Sequence, residues 1–316
     1  FIVLLSVFLL LSSAWFFLWT FKFFHFKIPP SLIFIKLFSY VIFYHIINKN
    51  ERVKIQIVHF IQPGEKGFYV WSGISKNLSL FTDKADKDIV IILSTEDYLV
   101  NKHKNKIAKV ISEKDSGLYD AMNKGKDYAS GDFALFLNSG DVLSNSDSLK
   151  TLTSKIDSKN KLYFGRAENI FENKTIYYMP SLKITENNYS EWLSKITPSH
   201  QTILFPKSFY KVNTYDLKYK IASDVDYKLR AINEFETIFI DAIVVNFELG
   251  GISTIPSSMK LINQIISEGL KISKKNHNAI SFNNTLIPIC NQYIKYFFYK
   301  ILGEKQYFKL LKIILN

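Results

Sequence analysis

The sequence predicts an α/β protein with a mostly parallel central sheet and helices on both faces of the sheet. Apolar residues make up 47% of the 316 residues, which is enough for a substantial core. Beyond residue 51, short runs of β-branched residues alternate with segments of helical spacing. Polar and acidic residues follow the apolar run Phe133–Leu137, and open α/β sheets bind ligands beyond the carboxyl ends of their strands.

The individual elements follow from two patterns. Short runs of β-branched and aromatic residues with polar flanks predict strands at Lys54–Phe60, Asp88–Ser94, Ile107–Ile111, Phe133–Leu137, Leu162–Gly165, Thr175–Tyr178, Thr202–Phe205, Thr237–Ile240 and Ile243–Phe247. Apolar residues near helical spacing predict helices at Gly117–Ser130, Ser146–Ile156, Asp224–Glu234 and Ser257–Ser273.

The chain divides into a hydrophobic segment at 1–50, an α/β domain at 51–275 and a basic amphipathic tail at 276–316. Residues 1–21 carry no charge and are long enough to cross a bilayer, which takes about 20 residues. Residues 31–47 predict either a second span or a buried or interfacial helix. An alternative explanation of the first segment is a reading frame shifted upstream of Val110, which would make the anchor an artefact.

Charge and cysteine content narrow the class of protein. The net charge of +12 suits a phosphorylated substrate or an anionic membrane surface, and nucleic acid, which would rest on charge alone, is set aside. The tail fits either a helix on such a surface or a helix packed on the domain. Cys290 is the single cysteine, so an intramolecular disulfide is excluded and a reducing compartment is indicated. The sequence contains no zinc-type cluster and no Walker loop.

One stretch carries a resemblance to a known family. Residues 112–143 read SEKDSGLYDAMNKGKDYASGDFALFLNSGDVL, which resembles the donor-site core of family 2 glycosyltransferases of the bacterial surface-polysaccharide type. The resemblance extends from about Val110 to Ser253 and weakens before that. It implies a GT-A-like nucleotide-diphospho-sugar transferase fold and the site residues that follow.

The resemblance implies that Asp141 is the metal ligand, for Mn²⁺ or Mg²⁺. It matches the last acidic residue of the family's D-x-D-type element, and Asn138 stands where an aspartate often stands. Hard cations prefer oxygen ligands, and a departing diphosphate needs positive charge to stabilise it. The alternative is that Asn138 to Asp141 form only a strand-ending turn.

The same resemblance places four further residues at the nucleotide-sugar: Asp115, Gly117, Asn123 and Lys124, together with Asn138. Gly117 would allow close backbone approach, and Lys124 would offer a point charge to phosphate. The alternatives are that Asp115 caps the following helix and that Lys124 is a solvated lysine.

The acceptor half is implied by two later motifs. In Ile221–Arg230 the family places a general base, which matches Asp224, with Asp226 as the alternative base in an exposed first turn. Arg230 would pair with either aspartate or reach a phosphate. The family's His-Gln pair matches His200 and Gln201, which we expect to contact the substrate. The alternative for Asp224 is a helix cap.

Together these features predict an inverting glycosyltransferase at the cytoplasmic face of the cell membrane. It would move a sugar from a nucleotide-diphosphate donor, a UDP-sugar, to a glycan or lipid-linked acceptor in cell-surface polysaccharide synthesis. One alternative is a catalytically inactive glycosyltransferase-like binding module with a degenerate N-terminal donor half. A weaker one is a nucleotidyltransferase on a related sheet.

Overall fold

The computed structural model describes residues 40–47, 54–61, 90–92, 109–111, 115–138, 141–145, 147–251, 254–276 and 282–315. The strands within these residues are β1 Tyr40–Ile47, β2 Lys54–Ile61, β3 Val90–Ile92, β4 Lys109–Ile111, β5 Phe133–Leu137, β6 Val142–Leu143, β7 Leu162–Phe171, β8 Lys174–Met179, β9 Ile203–Pro206 and β10 Thr237–Glu248. The helices are α1 Leu118–Tyr128, α2 Ser148–Ser154, α3 Tyr189–Leu193, α4 Lys207–Tyr210, α5 Ser223–Glu234, α6 Met259–Lys275 and α7 Phe282–Leu315, and His200–Thr202 form a 3-10 turn.

These strands form one mixed sheet in the order β4-β3-β1-β2-β5-β9-β7-β10-β6, with β8 paired to β7. The pairs β2–β5, β3–β4 and β7–β10 are parallel, and the other described pairs are antiparallel. The expectation of a mostly parallel sheet is therefore corrected, while the α/β class is confirmed. One cause is the tight β7–β8 connection, where Glu172 and Asn173 both have positive φ angles, as a two-residue hairpin turn requires.

Strand β1 corrects the expectation of a helix at residues 31–47. Residues 40–47 instead pair antiparallel with β2, with Tyr40 opposite Ile61 and Ile47 opposite Lys54. Their sequence YVIFYHII is rich in β-branched and aromatic residues, which favour strands. The sheet thus begins inside the segment assigned to 1–50. The predicted span at 1–21 lies outside the described residues, as does the rest of that segment up to residue 39.

The core lies around β5, whose five residues are all buried. This strand is confirmed with both ends as predicted, because an unbroken apolar run stands between polar residues. Phe136 makes edge-on contacts with the rings of Phe205, Tyr215 and Tyr227 at 5.5 to 6.2 Å between centroids. This aromatic packing fixes the end of β5, from which the acidic turn leaves the sheet.

Two predicted strands are joined in the structure. The segments 237–240 and 243–247 are parts of the single strand β10, whose register against β7 shifts between Phe239 and Val245. The predicted tail helix is present as α7, which bends at Gly303, where φ is 71°. Beyond the bend, Tyr307 and Phe308 pack against Ile176 and Leu249. Within the described part of the chain, no helix has both the length and the apolar character needed to cross a bilayer.

Candidate active site

The turn after β5 encloses a buried carboxylate. Asp141 is 2% exposed, and its Oδ2 accepts a hydrogen bond from the backbone N–H of Asn138 at 3.0 Å. Its own N–H donates to the Asn138 carbonyl at 3.1 Å. The carboxylate also accepts from the side chain of Gln201 and from the backbone N–H of Glu248. The turn therefore joins the end of β5 to the His-Gln segment and to the end of β10.

The electrostatic environment of the Asp141 carboxylate favours the binding of a cation. Burial raises the pKa of the Asp141 carboxyl to about 8, against the opposing effect of its hydrogen bonds, and the charge of Glu248 raises it further. The amide Oδ1 of Asn138 is buried and has no hydrogen-bond partner among the residues that the structure describes. A buried carboxylate beside an unpartnered amide oxygen is a donor set that Mg²⁺ or Mn²⁺ accepts when phosphates and waters complete the shell.

The described residues contain no group of three or more His, Cys, Asp or Glu side chains that could hold a metal by themselves. The oxygen donors of Asn138 and Asp141 nevertheless fit a cation that a bound diphosphate shares, since Mg²⁺ usually binds only one or two carboxylates.

His200 lies deep in the protein. It is 3% exposed, its Nε2 is 2.8 Å from the hydroxyl of Tyr215, and its ring lies 5.3 Å from Phe136 between centroids. Burial, and secondly the charge of Lys228, hold the pKa of His200 well below its usual value, so the imidazole is neutral. Its neighbour Gln201 is also buried. Both predicted substrate contacts thus make internal hydrogen bonds.

Asp224 is half-buried in the first turn of α5. The hydroxyl of Tyr119, on α1, lies 2.5 Å from the carbonyl oxygen of Ile221 and 3.1 Å from Oδ1 of Asp224, so these two acceptors share its single proton. Burial and the charge of Asp224 raise the pKa of Tyr119 well above its usual value, so the phenol stays a donor. The ring of Tyr119 stacks on Tyr215 at 5.9 Å.

A continuous set of contacts therefore connects the two predicted aspartates. It runs from Asp224 to Tyr119, then to Tyr215 and to His200. The adjacent residue, Gln201, bonds Asp141. The structure brings the predicted base, the His-Gln pair and the predicted metal ligand into one buried network.

The turn before α1 needs its glycine. Gly117 has φ 126° and ψ 177°, a conformation that side chains with a Cβ rarely adopt. Its N–H donates to Oδ1 of Asp115 at 3.0 Å, so Asp115 closes this turn and does not bond the first-turn N–H groups of the helix. Burial raises the pKa of Asp115, while the Gly117 hydrogen bond and Lys124 act against this.

The side chains of Asn123 and Lys124 make different kinds of contact. The Nδ2 of Asn123 donates to the Tyr215 carbonyl at 2.9 Å, and its Oδ1 accepts from the Tyr215 N–H at 2.7 Å. Asn123 therefore fixes the loop that carries Tyr215. Lys124 is half-buried and lies 3.6 Å from Asp120.

The structure corrects the expectation for Asp226, the alternative base. It has no exposed surface and forms ion pairs with Arg230 at 3.0 Å and Lys275 at 2.9 Å. A carboxylate enclosed in this way cannot receive a proton from an acceptor hydroxyl, so the expectation of an exposed first-turn residue is wrong. Arg230 pairs with Asp226, donates to Asn213 at 2.7 Å and borders an open cavity of about 460 Å³.

Three residues of this region were not among the predicted site residues. Tyr119 was not assigned a role from the sequence, although a hydroxyl on the buried face of α1 was a usable signal. Tyr215 had no signal in the local sequence. Glu268 on α6 accepts the N–H groups of three successive residues before α5, each at 2.9 Å: Lys220, Ile221 and Ala222.

The sheet, its acidic strand end and the connected aspartates define the class, an α/β fold of the GT-A type. Residues 83–221 match the model of glycosyl transferase family 2. The match begins before the predicted Val110 and ends three residues before Asp224. The assignment of Asp224 therefore rests on the motif resemblance alone.

Several curated proteins are similar over part of the chain. A PGL/p-HBAD biosynthesis glycosyltransferase of Mycobacterium bovis (strain BCG / Pasteur 1173P2) is 26% identical over 143 residues, which cover 44% of this chain and 54% of that protein. An uncharacterized glycosyltransferase of Mycobacterium tuberculosis (strain CDC 1551 / Oshkosh) is 31% identical over 150 residues, which cover 45% and 55%. The matched region thus spans about half the length of these relatives.

Among solved structures, S. aureus TarS 1–349 in complex with UDP-GlcNAc is similar with a TM-score of 0.49 and 17% identity, over 73% of this chain and 70% of that chain.

Proposed function

We propose that this chain is an inverting, metal-dependent glycosyltransferase. It moves a sugar from a nucleotide-diphosphate donor, a UDP-sugar, to a glycan or lipid-linked acceptor in cell-surface polysaccharide synthesis, at the cytoplasmic face of the membrane. The observation that carries the proposal is the contact network between Asp141 and Asp224, through Tyr119, Tyr215 and His200. It supports two carboxylates serving one reaction.

The donor half is assigned to the strand end and the turn before α1. Asp141 and Asn138 would hold Mn²⁺ or Mg²⁺, since both present oxygen and Asn138 Oδ1 has no hydrogen-bond partner within the described residues. A divalent ion there would supply positive charge that stabilises the departing diphosphate. We assign Asp115 and Gly117 to the nucleotide and Lys124 to its phosphates.

The acceptor half is assigned to the start of α5. Asp224 takes the proton from the acceptor hydroxyl as that oxygen attacks the anomeric carbon. The new glycosidic bond forms while the bond to the diphosphate oxygen breaks, so configuration inverts and the nucleoside diphosphate leaves. Tyr119 holds Asp224 through its hydroxyl.

The test is an assay of nucleoside diphosphate release from a panel of nucleotide sugars with Mn²⁺ and a lipid-linked acceptor. Asp141→Ala and Asp224→Ala are expected to lose turnover by at least about 100-fold while remaining folded. Glu191→Ala, which removes a side chain that is 81% exposed, is the matched control and keeps wild-type turnover. Normal turnover in either aspartate variant would remove that residue from the mechanism.

The second candidate is a catalytically inactive binding module. The observation that favours it is that Asn123 and Arg230, both expected to bind substrate, make several internal hydrogen bonds. Absence of any calorimetric signal with UDP and Mn²⁺ would support this module over the enzyme.

A further inference from the structure

The first half of α7 carries a stripe of exposed apolar side chains. Ile294, Phe297, Phe298 and Ile301 are each exposed, from 39% to 60%. At 3.6 residues per turn these positions share one side of the helix. Contiguous apolar surface of this kind on a folded protein marks an interaction site.

Packing on the opposite side fixes the direction in which this stripe faces. Tyr299 packs against the cluster that contains Leu249 and Tyr307, and its ring meets Tyr307 edge-on at 5.5 Å. At the edge of the stripe, the hydroxyl of Tyr293 donates to Asn263 Oδ1, on α6, at 2.9 Å. The helix is thus attached through Tyr299, and the exposed side chains of the stripe point away from Tyr299.

The charge of this helix selects the kind of partner. Residues 289–315 contain one acidic residue, Glu304, and five lysines: Lys295, Lys300, Lys305, Lys309 and Lys312. By helical geometry Lys295 and Lys300 flank the stripe on its two sides. A lysine can lay its methylene chain along apolar surface while its ammonium reaches a phosphate.

We propose that the stripe and its flanking lysines dock on an anionic phospholipid bilayer, with α7 lying along the surface. A second copy of this chain would bring lysines against lysines, whereas anionic lipid offers both apolar chains and negative charge. The inference deepens the proposed function, on which it rests for the placement of the enzyme at a membrane.

The test uses Cys290, which is exposed and is the single cysteine of the sequence. It lies one turn before Ile294, so an environment-sensitive fluorophore on it reports local contact even if the N-terminal segment also binds lipid. The emission of the labelled full chain is expected to shift to shorter wavelength with vesicles that contain phosphatidylglycerol. It should change little with pure phosphatidylcholine, and salt should reverse the shift. A label on Val212→Cys in a Cys290→Ser background, at a position 75% exposed, should not respond.

Two double variants then separate the apolar and charged contributions. Phe297→Ser with Phe298→Ser, and Lys295→Glu with Lys300→Glu, should each weaken the vesicle response at least tenfold without changing the circular dichroism. Leu182→Ser and Lys183→Glu, exposed residues outside α7, are the matched controls and should respond as wild type.

The proposal is overturned if Cys290 does not respond to vesicles, or if Val212→Cys responds equally. It is also overturned if the shift follows protein concentration without vesicles, which would indicate a second copy. Asp141→Ala should respond to vesicles as wild type does, so a failure of the donor site and a failure of lipid docking are distinguished.

Discussion

The hydroxyl of Tyr119 lies 3.1 Å from Oδ1 of Asp224 and thereby joins α1 to α5. Helix α1 begins directly after the Asp115–Gly117 turn, which we assign to the nucleotide, and α5 carries the proposed base. This hydrogen bond extends from the matched family segment to a residue beyond its end. It gives the base a fixed orientation relative to the donor side of the site.

Tyr119→Phe tests this orientation. The change leaves Asp224 Oδ1 and the Ile221 carbonyl without their donor, and we expect kcat to fall about tenfold, which corresponds to about 1.4 kcal/mol. The affinity for UDP with Mn²⁺ should stay unchanged. Steady-state kinetics and calorimetry measure the two quantities.

The matched control is Tyr163→Phe, which removes a hydroxyl that bonds Asp157 and the Ser158 backbone. It should keep the wild-type kcat. A wild-type kcat in Tyr119→Phe would exclude a positioning role for that hydroxyl.

The buried carboxyl of Asp141 predicts a pH dependence of stability in metal-free buffer. Its folded pKa, raised by burial to about 8, lies above the ordinary value of 3.8. Between these two pKa values, the Asp141 carboxyl is protonated in the folded state and ionised in the unfolded state. The free energy of unfolding therefore falls as the pH rises through this range, by up to about 1.4 kcal/mol per pH unit.

Asp141→Asn removes this titration, so the variant should be more stable than wild type at pH 8 and should differ less at pH 5. Urea unfolding in the presence of a chelator at the two pH values measures the difference. Parallel pH curves for the two proteins would contradict the buried carboxyl.

Gly117→Ala tests the backbone of the turn before α1. A Cβ at this position meets no atom within 4 Å, so the cost comes from the positive φ alone. We expect the free energy of unfolding to fall by about 1–3 kcal/mol. Gly251→Ala is the control, because this position is also open but has no positive φ. It should lower the free energy of unfolding, measured in urea, by less than half as much. Equal losses would argue against backbone strain.

Glu268→Gln tests the support of the proposed base from α6. Burial alone would raise the pKa of Glu268, but the hydrogen bonds from Gln264 and three backbone N–H groups lower it below 4.5. Its contribution to stability is therefore present above pH 4.5 and is lost as the pH falls. The Glu268→Gln variant should therefore have a free energy of unfolding about 1.5–3 kcal/mol lower than wild type at pH 7, and the difference should be smaller at pH 3.

Thermal unfolding at the two pH values measures this loss. Glu191→Gln, in an exposed pair with Lys195, should leave the stability close to that of wild type, since exposed pairs contribute little. A Glu268→Gln variant as stable as wild type at pH 7 would show that these hydrogen bonds contribute nothing net.

Local patterns predicted the elements of the fold better than their pairing. Strand β5 and helix α1 could be placed because an apolar run and a helical spacing are each local signals. Strand β1 could not be placed in this way, because the apolar run at 31–47 is compatible with either a helix or a strand. Only its pairing with β2 determines that residues 40–47 form a strand.

The site shows the same division. The motif resemblance singled out Asp141 and Asp224, whose roles stay predictions. It did not predict the burial of Asp226, because Lys275, one of the two cations that pair with it, comes from a distant helix. Tyr215 reaches His200 through a loop that Asn123 holds, and no spacing in the sequence records that contact.

The central claim is that Asp141 serves the donor and its metal while Asp224 serves the acceptor. Its most direct test is a calorimetric titration of UDP with Mn²⁺ into wild type, Asp141→Ala and Asp224→Ala. Wild type and Asp224→Ala should bind with similar affinity, and Asp141→Ala should bind more than tenfold more weakly. Wild-type affinity in Asp141→Ala would contradict the account.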